Sequence, residues 1–501
     1  MQKNKKNDNM QTQEAGNVTI NGNGNYPKKY LITSAQGCYH LNKGGDDEPY
    51  GGGNVKAKPH SVLLKGFENY AKENGAELII VPIAGKNTLE NILHEEFQGR
   101  KEIFRGTVLR FNKNLQFRDL VVPPQNVDPV TGKSNLISKY NSSIIFAHSK
   151  QRFSPVPVFN ADLPRYLYTT GAVTEPNYNT ANHRGDTAMR NHVFGGVVVE
   201  VLDDTYYNIR NVRGMMNGKF VDLGKLYDGK HKPKKIGVDS LVLGDIHWGD
   251  HDDKSIKANY EMIEFFKPKR IFLHDFFNGH SVNHHELDNF SLRSRELRRG
   301  RLDLLGELES DYIELKNICN LAGEKTEINL VSSNHHQFLT KYINSDLWMK
   351  GDLWNSEIGG YLFSKVSSIE EHENEIDSAA YLLEEGFKRF GPIPSNVKFL
   401  RYKDNYRRYG FQLASHGDKG KSGSRGGDVK SRSVTGGGKS ITGHSHAMSI
   451  FGDTYIVGTS TKLDLPYTLG YGNASIAANA ILYDNGTVQM IPIIKGKWKA
   501  D

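Results

Sequence analysis

The chain has 501 residues, two cysteines and a formal net charge of +7. That length exceeds what one hydrophobic core supports, so two or three domains are expected. Cys38 and Cys319 cannot build a disulfide framework, no apolar run reaches a membrane span, and the polar N-terminus lacks the apolar segment of a secretory signal. A reducing, cytoplasmic setting without membrane partners follows, and the mild positive balance permits nucleic acid as a partner without requiring it.

In chain order, residues 1–27 read as a disordered polar tail. An N-terminal α/β domain is expected over 28–227. It opens with the strand Tyr30-Leu31-Ile32-Thr33, passes a Gly-rich stretch at 44–53, and continues into a helix with amphipathic spacing at Val62, Leu63, Phe67 and Tyr70. The strand Leu78-Ile79-Ile80-Val81-Pro82-Ile83 comes next, completing a βαβ unit. Apolar runs at 143–146 and 197–201 extend the sheet. Gly51-Gly52-Gly53 lacks both the Gly-Lys-Ser/Thr ending and the Rossmann spacing of phosphate-binding loops. His60 and His183-Arg184 are candidates for substrate contact; otherwise this domain supplies oligomer contacts or one wall of a groove. Residues 228–235 read as a linker.

Residues 236–501 carry the chemistry. Four short apolar runs each end at a residue able to bind a metal: 240–244 before Asp245 and His247, 270–273 before His274-Asp275, 328–331 before Asn334, and 411–414 before His416. Such runs read as inner strands, and α/β sheets place their sites beyond the strand carboxyl ends. His444-Ser445-His446 adds two imidazoles. Carboxylate and neutral imidazole suit divalent Mn, Fe or Zn, and one carboxylate can bridge two ions roughly 3.5–4 Å apart. His251, Asp252 and Asp253 read as solvated loop. His280, His284 and His285 are either loop or groups that orient ligands and phosphate.

In this order the motifs resemble the calcineurin-like metallophosphoesterases, whose pattern is D-x-H, G-D, G-N-H-D/E, a lone His, then G-H-x-H. The resemblance covers residues 240 to 447. It implies a two-sheet α/β sandwich flanked by helices, following the separate N-terminal α/β domain, and two divalent ions per chain. One ion would be held by Asp245, His247, Asp275 and His446, the other by Asp275, Asn334, His416 and His444, with Asp275 as the bridge. His335 would face the phosphate and protonate the leaving oxygen, while a metal-bridging hydroxide attacks phosphorus in line. Manganese suits this thiolate-free ligation, with Mg, Fe or Zn as alternatives. Two departures bear on metal choice and on the tuning of His335: His274 stands where the family has Gly, and His336 where it has an acid. Every ligand position is still filled.

Two basic elements point to a polyanionic substrate. Arg293, Arg295, Arg298, Arg299 and Arg301 follow Asp275, with Arg298 and Arg299 as candidate substrate contacts. The Gly/Ser-rich loop 417–440 carries Lys419, Lys421, Arg425, Lys430, Arg432 and Lys439 between two ligand histidines, so it is placed to track a phosphate backbone. An insertion at about 340–410 contains a helix expected over 370–390. It also contains Tyr402, Tyr406, Arg407 and Arg408, a pattern that suits either base stacking or an edge strand. The arrangement is similar to the nuclease subunit of the double-strand-break repair complex. It is more similar to the early DNA-degradation proteins of large tailed phages, through the segment beginning Tyr30-Leu31-Ile32-Thr33-Ser34-Ala35 and the domain order. That resemblance implies a manganese-dependent DNase acting on DNA, in the host cytoplasm if phage-encoded. A phosphomonoesterase acting on protein or nucleotide, and a nucleic-acid-binding protein with a vestigial site, are the alternatives. A homo-oligomer is compatible with all three.

Overall fold

The computed structural model describes residues 18–19, 26–40, 54–83, 92–159, 163–178, 180, 183–368, 375–435, 438–463 and 472–500. Most of the polar tail, the Gly-rich stretch at 44–53 and residues 370–374 of the expected 370–390 helix lie outside the described residues. The fold is mixed α/β, with several sheets and helices packed on them.

The first half contains β1 (Lys28–Ala35), α1 (Ser61–Asn74), β2 (Ala76–Pro82), β3 (Val108–Arg110), β4 (Leu115–Arg118), β5 (Ser143–Phe146), β6 (Arg152–Val156), β7 (Arg165–Thr169), β8 (Gly195–Val201) and β9 (Tyr207–Arg213). Alternate residues along β1, β2 and β8 serve two cores, as a strand period of two requires. Leu31, Leu78, Ile80 and Val198 face α1, whose Leu63, Leu64 and Phe67 cover them. Ile32, Ile79, Val197 and Val199 face inward. Helix α1 stops at Gly75, which takes φ 61° and donates its N–H to Ala71 O, an ending glycine adopts without steric cost.

The second half contains β10 (Val238–Val242), α2 (Asp253–Phe266), β11 (Arg270–Leu273), α3 (Phe290–Arg298), α4 (Leu304–Ala322), β12 (Glu327–Val331), α5 (Gln337–Ile343), α6 (Glu375–Lys388), β13 (Val397–Leu400), β14 (Arg407–Arg408), β15 (Phe411–Gln412), β16 (Ser440–Thr442), β17 (Ser449–Phe451), β18 (Thr454–Ile456), β19 (Ala478–Tyr483) and β20 (Val488–Pro492). Strands β10 to β13 run parallel as neighbours, with β19 and β20 antiparallel beyond β10. One face of this sheet packs on helices through Leu241, Ile271, Ile328, Met262, Leu308 and Leu383. The other face packs through Val242, Phe272 and Val331 against Leu413, Ile441 and Tyr455 of a facing sheet.

The facing sheet runs through both halves. Its order from β3 is β3-β4-β5-β7-β6-β17-β18-β16-β15-β14, and the middle contact is an antiparallel pairing of Phe153 with Ile450. On either side of that contact the same connectivity occurs twice. β3/β4 and β14/β15 are antiparallel, β4/β5/β7 and β15/β16/β18 are parallel, and β6/β7 and β17/β18 are antiparallel. The sheets they cover also match, since β1, β2, β8 and β9 pair as β10, β11, β19 and β20 do. Registers coincide as well: Ile145 lies opposite Tyr168, and Ile441 opposite Tyr455.

The first half is therefore joined to the second rather than separate from it. Inward residues of both halves form one core. Between β9 and β20 the join is made by side chains: Asn211 Nδ2 donates to Val488 O (3.0 Å) and Met490 N donates to Asn211 Oδ1 (2.8 Å). Below them the buried Arg210 donates to Asp222 and contacts Glu200, and Gln489 Nε2 donates to Asp222 Oδ1 (2.7 Å). Within 228–235, Lys234–Lys235 pair with Lys225–Tyr227 as a short ladder.

Candidate metal centre

Strands β10, β11 and β12 end side by side, and β15 and β16 end opposite them in the facing sheet. Asp245 and His247 follow β10, Asp275 follows β11, Asn334 follows β12, His416 follows β15, and His444 and His446 follow β16. The chain turns abruptly at these points. His247, Asp275, His444 and His446 all have positive φ (44°, 42°, 76° and 56°), a conformation that costs non-glycine residues roughly 1 kcal/mol or more each. Gly443 is required because a Cβ there would collide with Asp245 Oδ1, and the next residue's amide, His444 N, donates to Asp245 Oδ2 at 2.6 Å.

Two groups of donor atoms converge. Asp245, His247, Asp275 and His446 form one, and Asp275, His416 and His444 form another, with Asp275 in both. The Nε2 atoms of His247 and His446 face each other at 3.1 Å. Asp275 Oδ2 lies 2.9 Å from His416 Nε2 and 3.4 Å from His247 Nε2, and Asp245 Oδ2 lies 3.4 Å from His446 Nε2. Asp245 Oδ1, Asp275 Oδ1 and Asn334 Oδ1 are buried without a hydrogen-bond partner. Buried oxygens and nitrogens normally find partners, so this set fits divalent cations as the missing counterparts.

Electrostatics agree with that fit. Burial drives the pKa of His247 well below its ordinary value and that of His446 down to about 4. Both imidazoles are thus neutral, the form that ligates. Burial raises Asp245 to about 7. Burial also opposes charge on Asp275 and His416, but each favours the other's ion: His416 holds Asp275 well below the carboxylate range, and Asp275 lifts His416 to about 9. Protons occupy positions that cations would take over, so binding would release them.

Asn278 and Glu307, which the sequence alone did not single out, complete the site together with His274. Asn278 sits behind two of its histidines: its Oδ1 faces His247 Nδ1 (3.3 Å), and its carbonyl accepts from His335 Nδ1 (2.5 Å). Both rings are thereby turned with Nε2 toward the crevice. The loop bearing Asn278 is clamped by buried Glu307, which accepts from the amides of Gly279, His280 and Ser281. His274, which stands in place of the family's Gly, is fully buried with Nδ1 3.3 Å from His416 Nδ1, and it groups with Asp245 and His416. Asn278 showed only nearness to Asp275 in the sequence, which does not separate it from loop residues, and Glu307 showed no signal at all.

The expected substrate cations divide. Arg299 lines a pocket beside His335 and pairs with Glu296 (3.0 Å), whereas Arg298 is exposed and does not line it. Lys421, Arg425 and Lys430 are exposed, and Lys419 lies near Asp418 (3.8 Å) and Gln337. Lys439 pairs with Asp453 at the end of β16 remote from His444. Arg432 is buried and donates to Thr442 Oγ1 and Gly443 O, bracing the turn into His444 instead of reaching outward. The segment is also more ordered than a free loop, with a helix over Val429–Thr435 and a bridge between Lys419 and Arg425. Tyr406 and Arg408 are committed internally to Glu327 and Asp239, which favours the edge-strand reading of these residues over base stacking.

The first half shows what the same positions become without ligands. Ala147-His148-Ser149-Lys150 follows β5 as Gly443-His444-Ser445-His446 follows β16. Ser34 bridges to Ala172 as Asp245 bridges to Thr459. The end of β2 reads Val81-Pro82-Ile83, and Leu120 stands at the position of His416. His148 Nε2 donates to Pro123 O, Lys150 Nζ to Asn126 O, and Gln36 exchanges two hydrogen bonds with the backbone of Asn177. These polar groups are satisfied internally. Among the described residues, groups able to hold a metal occur in the second half alone.

No family model matches the chain, and no solved structure matches it. It is similar to Protein A1 of Escherichia phage T5, with 26% identity over 460 residues that span 88% of this chain and 81% of that protein. The chain thus has a phage relative along most of its length, including both halves. No helix among the described residues is long and apolar enough to cross a membrane. Cys38 and Cys319 are both buried and free.

Proposed function

We propose that the chain is a dinuclear metal-dependent phosphodiesterase of the calcineurin-like class that cleaves DNA, serving a phage in DNA degradation. The observation that carries this reading is the sharing of Asp275 between two convergent donor groups, the arrangement that two-metal hydrolysis needs. Two divalent ions, manganese by preference, would polarise the phosphoryl oxygens and make water a nucleophile at neutral pH. Asp245, His247, Asp275 and His446 would hold one, and Asp275, Asn334, His416 and His444 the other.

The chain's own residues supply the rest. Asn278 O fixes the His335 ring through Nδ1, so Nε2 is the atom presented to substrate. With Nδ1–H held by Asn278 O, the ring carries an Nε2 proton when it is an imidazolium. That proton would pass to the leaving oxygen as its bond to phosphorus breaks, while the water whose oxygen bonds to phosphorus would release a proton to solvent. The exposed cations Lys421, Arg425 and Lys430 favour a polyanion over a small ester, and the relative in Escherichia phage T5 supports a phage-related role.

The test is hydrolysis of linear duplex, circular single-stranded DNA and a small phosphodiester with Mn, Mg or chelator, comparing wild type with His335→Ala. Mn-dependent DNA cleavage lost in the variant supports the reading. Turnover of the small ester alone moves the assignment to a small-substrate phosphatase, and silence throughout favours a binding protein.

A further inference from the structure

A pocket of about 620 Å³ opens beside the metal centre, and His335 and Asn334 form part of its lining. That volume lies within the usual range for a small organic ligand, about 300–1,000 Å³. The buried Phe338 also lines it, with its ring 4.8 Å from that of His335. Leu292 extends the apolar surface, and Asn283, His285 and Arg295 line the outer part. The acidic groups beside them are engaged: Glu296 with Arg299 and Arg301, Asp250 with Arg301, and Glu286 by accepting from Asn283 Nδ2 at 2.9 Å. Arg295 is exposed, and no carboxylate partners it among the described residues.

We propose that this pocket binds the nucleotide on the leaving-group side of the scissile phosphodiester, with its base against Phe338 and Leu292 and its next phosphate at Arg295. The proposal rests on the nuclease reading above and adds a direction to it. If the proton on His335 Nε2 goes to the departing oxygen, the fragment carrying that oxygen lies on the His335 side of phosphorus. The pocket opens on that side. An apolar surface with amide and imidazole edges suits a base of any sequence, and a free guanidinium suits a phosphate. Selectivity would then fall on polynucleotide as a class and not on one sequence.

The experiment uses the full chain with Arg295→Ala and His285→Ala combined, both exposed positions, and Phe338→Leu as a second variant. Each is assayed with a short oligonucleotide and with bis(p-nitrophenyl) phosphate, whose leaving group has neither a base nor a further phosphate. Binding of a fluorescent oligonucleotide is measured separately by anisotropy in chelator. The combined variant should lose about tenfold more kcat/KM on the oligonucleotide than on the small ester, mainly through KM, and should bind the oligonucleotide about tenfold more weakly without metal. Equal losses on both substrates, or unchanged oligonucleotide binding, would overturn the pocket assignment while leaving the nuclease reading in place. A wild type silent toward both substrates would overturn the nuclease reading and the pocket assignment together.

Discussion

The two halves of the molecule share one connectivity and differ in what lies at the ends of their strands. In the second half, the turns after β10, β11, β15 and β16 present convergent carboxylates and imidazoles, and Asp245 Oδ1 and Asp275 Oδ1 among them are buried without a hydrogen-bond partner. In the first half, the corresponding turns present Ser34, Gln36, His148 and Lys150, each hydrogen-bonded within the protein. Hydrogen-bond satisfaction therefore separates a candidate site from a structural copy of it. His148 illustrates the point. Burial lowers its pKa to about 3, and its neutral ring accepts from Lys150 N and donates to Pro123 O. His444, at the same position in the other half, has its ring among Asp275 and His416.

The contrast is broken most directly at Asp275. Asp275→Asn should abolish binding of both ions and lower DNA hydrolysis by about 10³-fold or more, whereas Ser34→Ala should leave metal content unchanged. Two ions per chain retained by the Asp275 variant, measured by elemental analysis, would refute the ligand assignment. Next in size, His335→Ala should keep both ions and lose about 10²- to 10⁴-fold in turnover, the usual worth of a proton donor. Loss of metal in that variant would return His335 to the ligand set.

Stability tests address the join between the halves. Asp222→Ala leaves Arg210 buried against Glu200 alone, so denaturant unfolding should show a loss of about 3–5 kcal/mol. The Asp222 pKa is lowered by Arg210 in spite of burial. Its contribution is accordingly complete above the ordinary carboxylate value of about 3.9 and is lost as pH falls through the lowered folded value. An acid limb that is unchanged in the variant would count against this. A smaller effect is expected from His148→Ala, about 1–3 kcal/mol for buried partners left unpaired, with metal content and turnover as in wild type. Smallest per residue, replacing Lys421, Arg425 and Lys430 by Ala should weaken DNA binding and reduce its log–log salt slope by about 0.9 for each phosphate that is no longer neutralised. An unchanged slope would remove that segment from the DNA path.

Much of the second half was legible because its strands are short apolar runs that stop at a polar residue. The runs before Asp245, Asp275, Asn334 and His416 all became inner strands, and the order of ligand types was readable without knowing their distances. The cationic segment was less legible. Composition marked Lys421 and Arg432 alike, yet one is exposed and the other braces Thr442 and Gly443 from inside. Charge in a sequence does not reveal which cation finds buried carbonyls. Asn278 and Glu307 were invisible for a similar reason, because their roles depend on contacts made across 31 residues to His247 and across 26 to 28 residues to the loop at 279–281.

The sequence by itself determined the strand ends that would carry ligands and the residue types able to hold a metal. These are local properties, fixed by apolar periodicity and by side-chain chemistry. Only the tertiary structure decided that the first half repeats the topology of the second, that one sheet and one core run through both, and that His335 is held by a backbone carbonyl. Pairings such as Phe153 with Ile450 join residues almost 300 positions apart, and no local pattern encodes a contact whose partner is specified only when the two sheets close over their shared core.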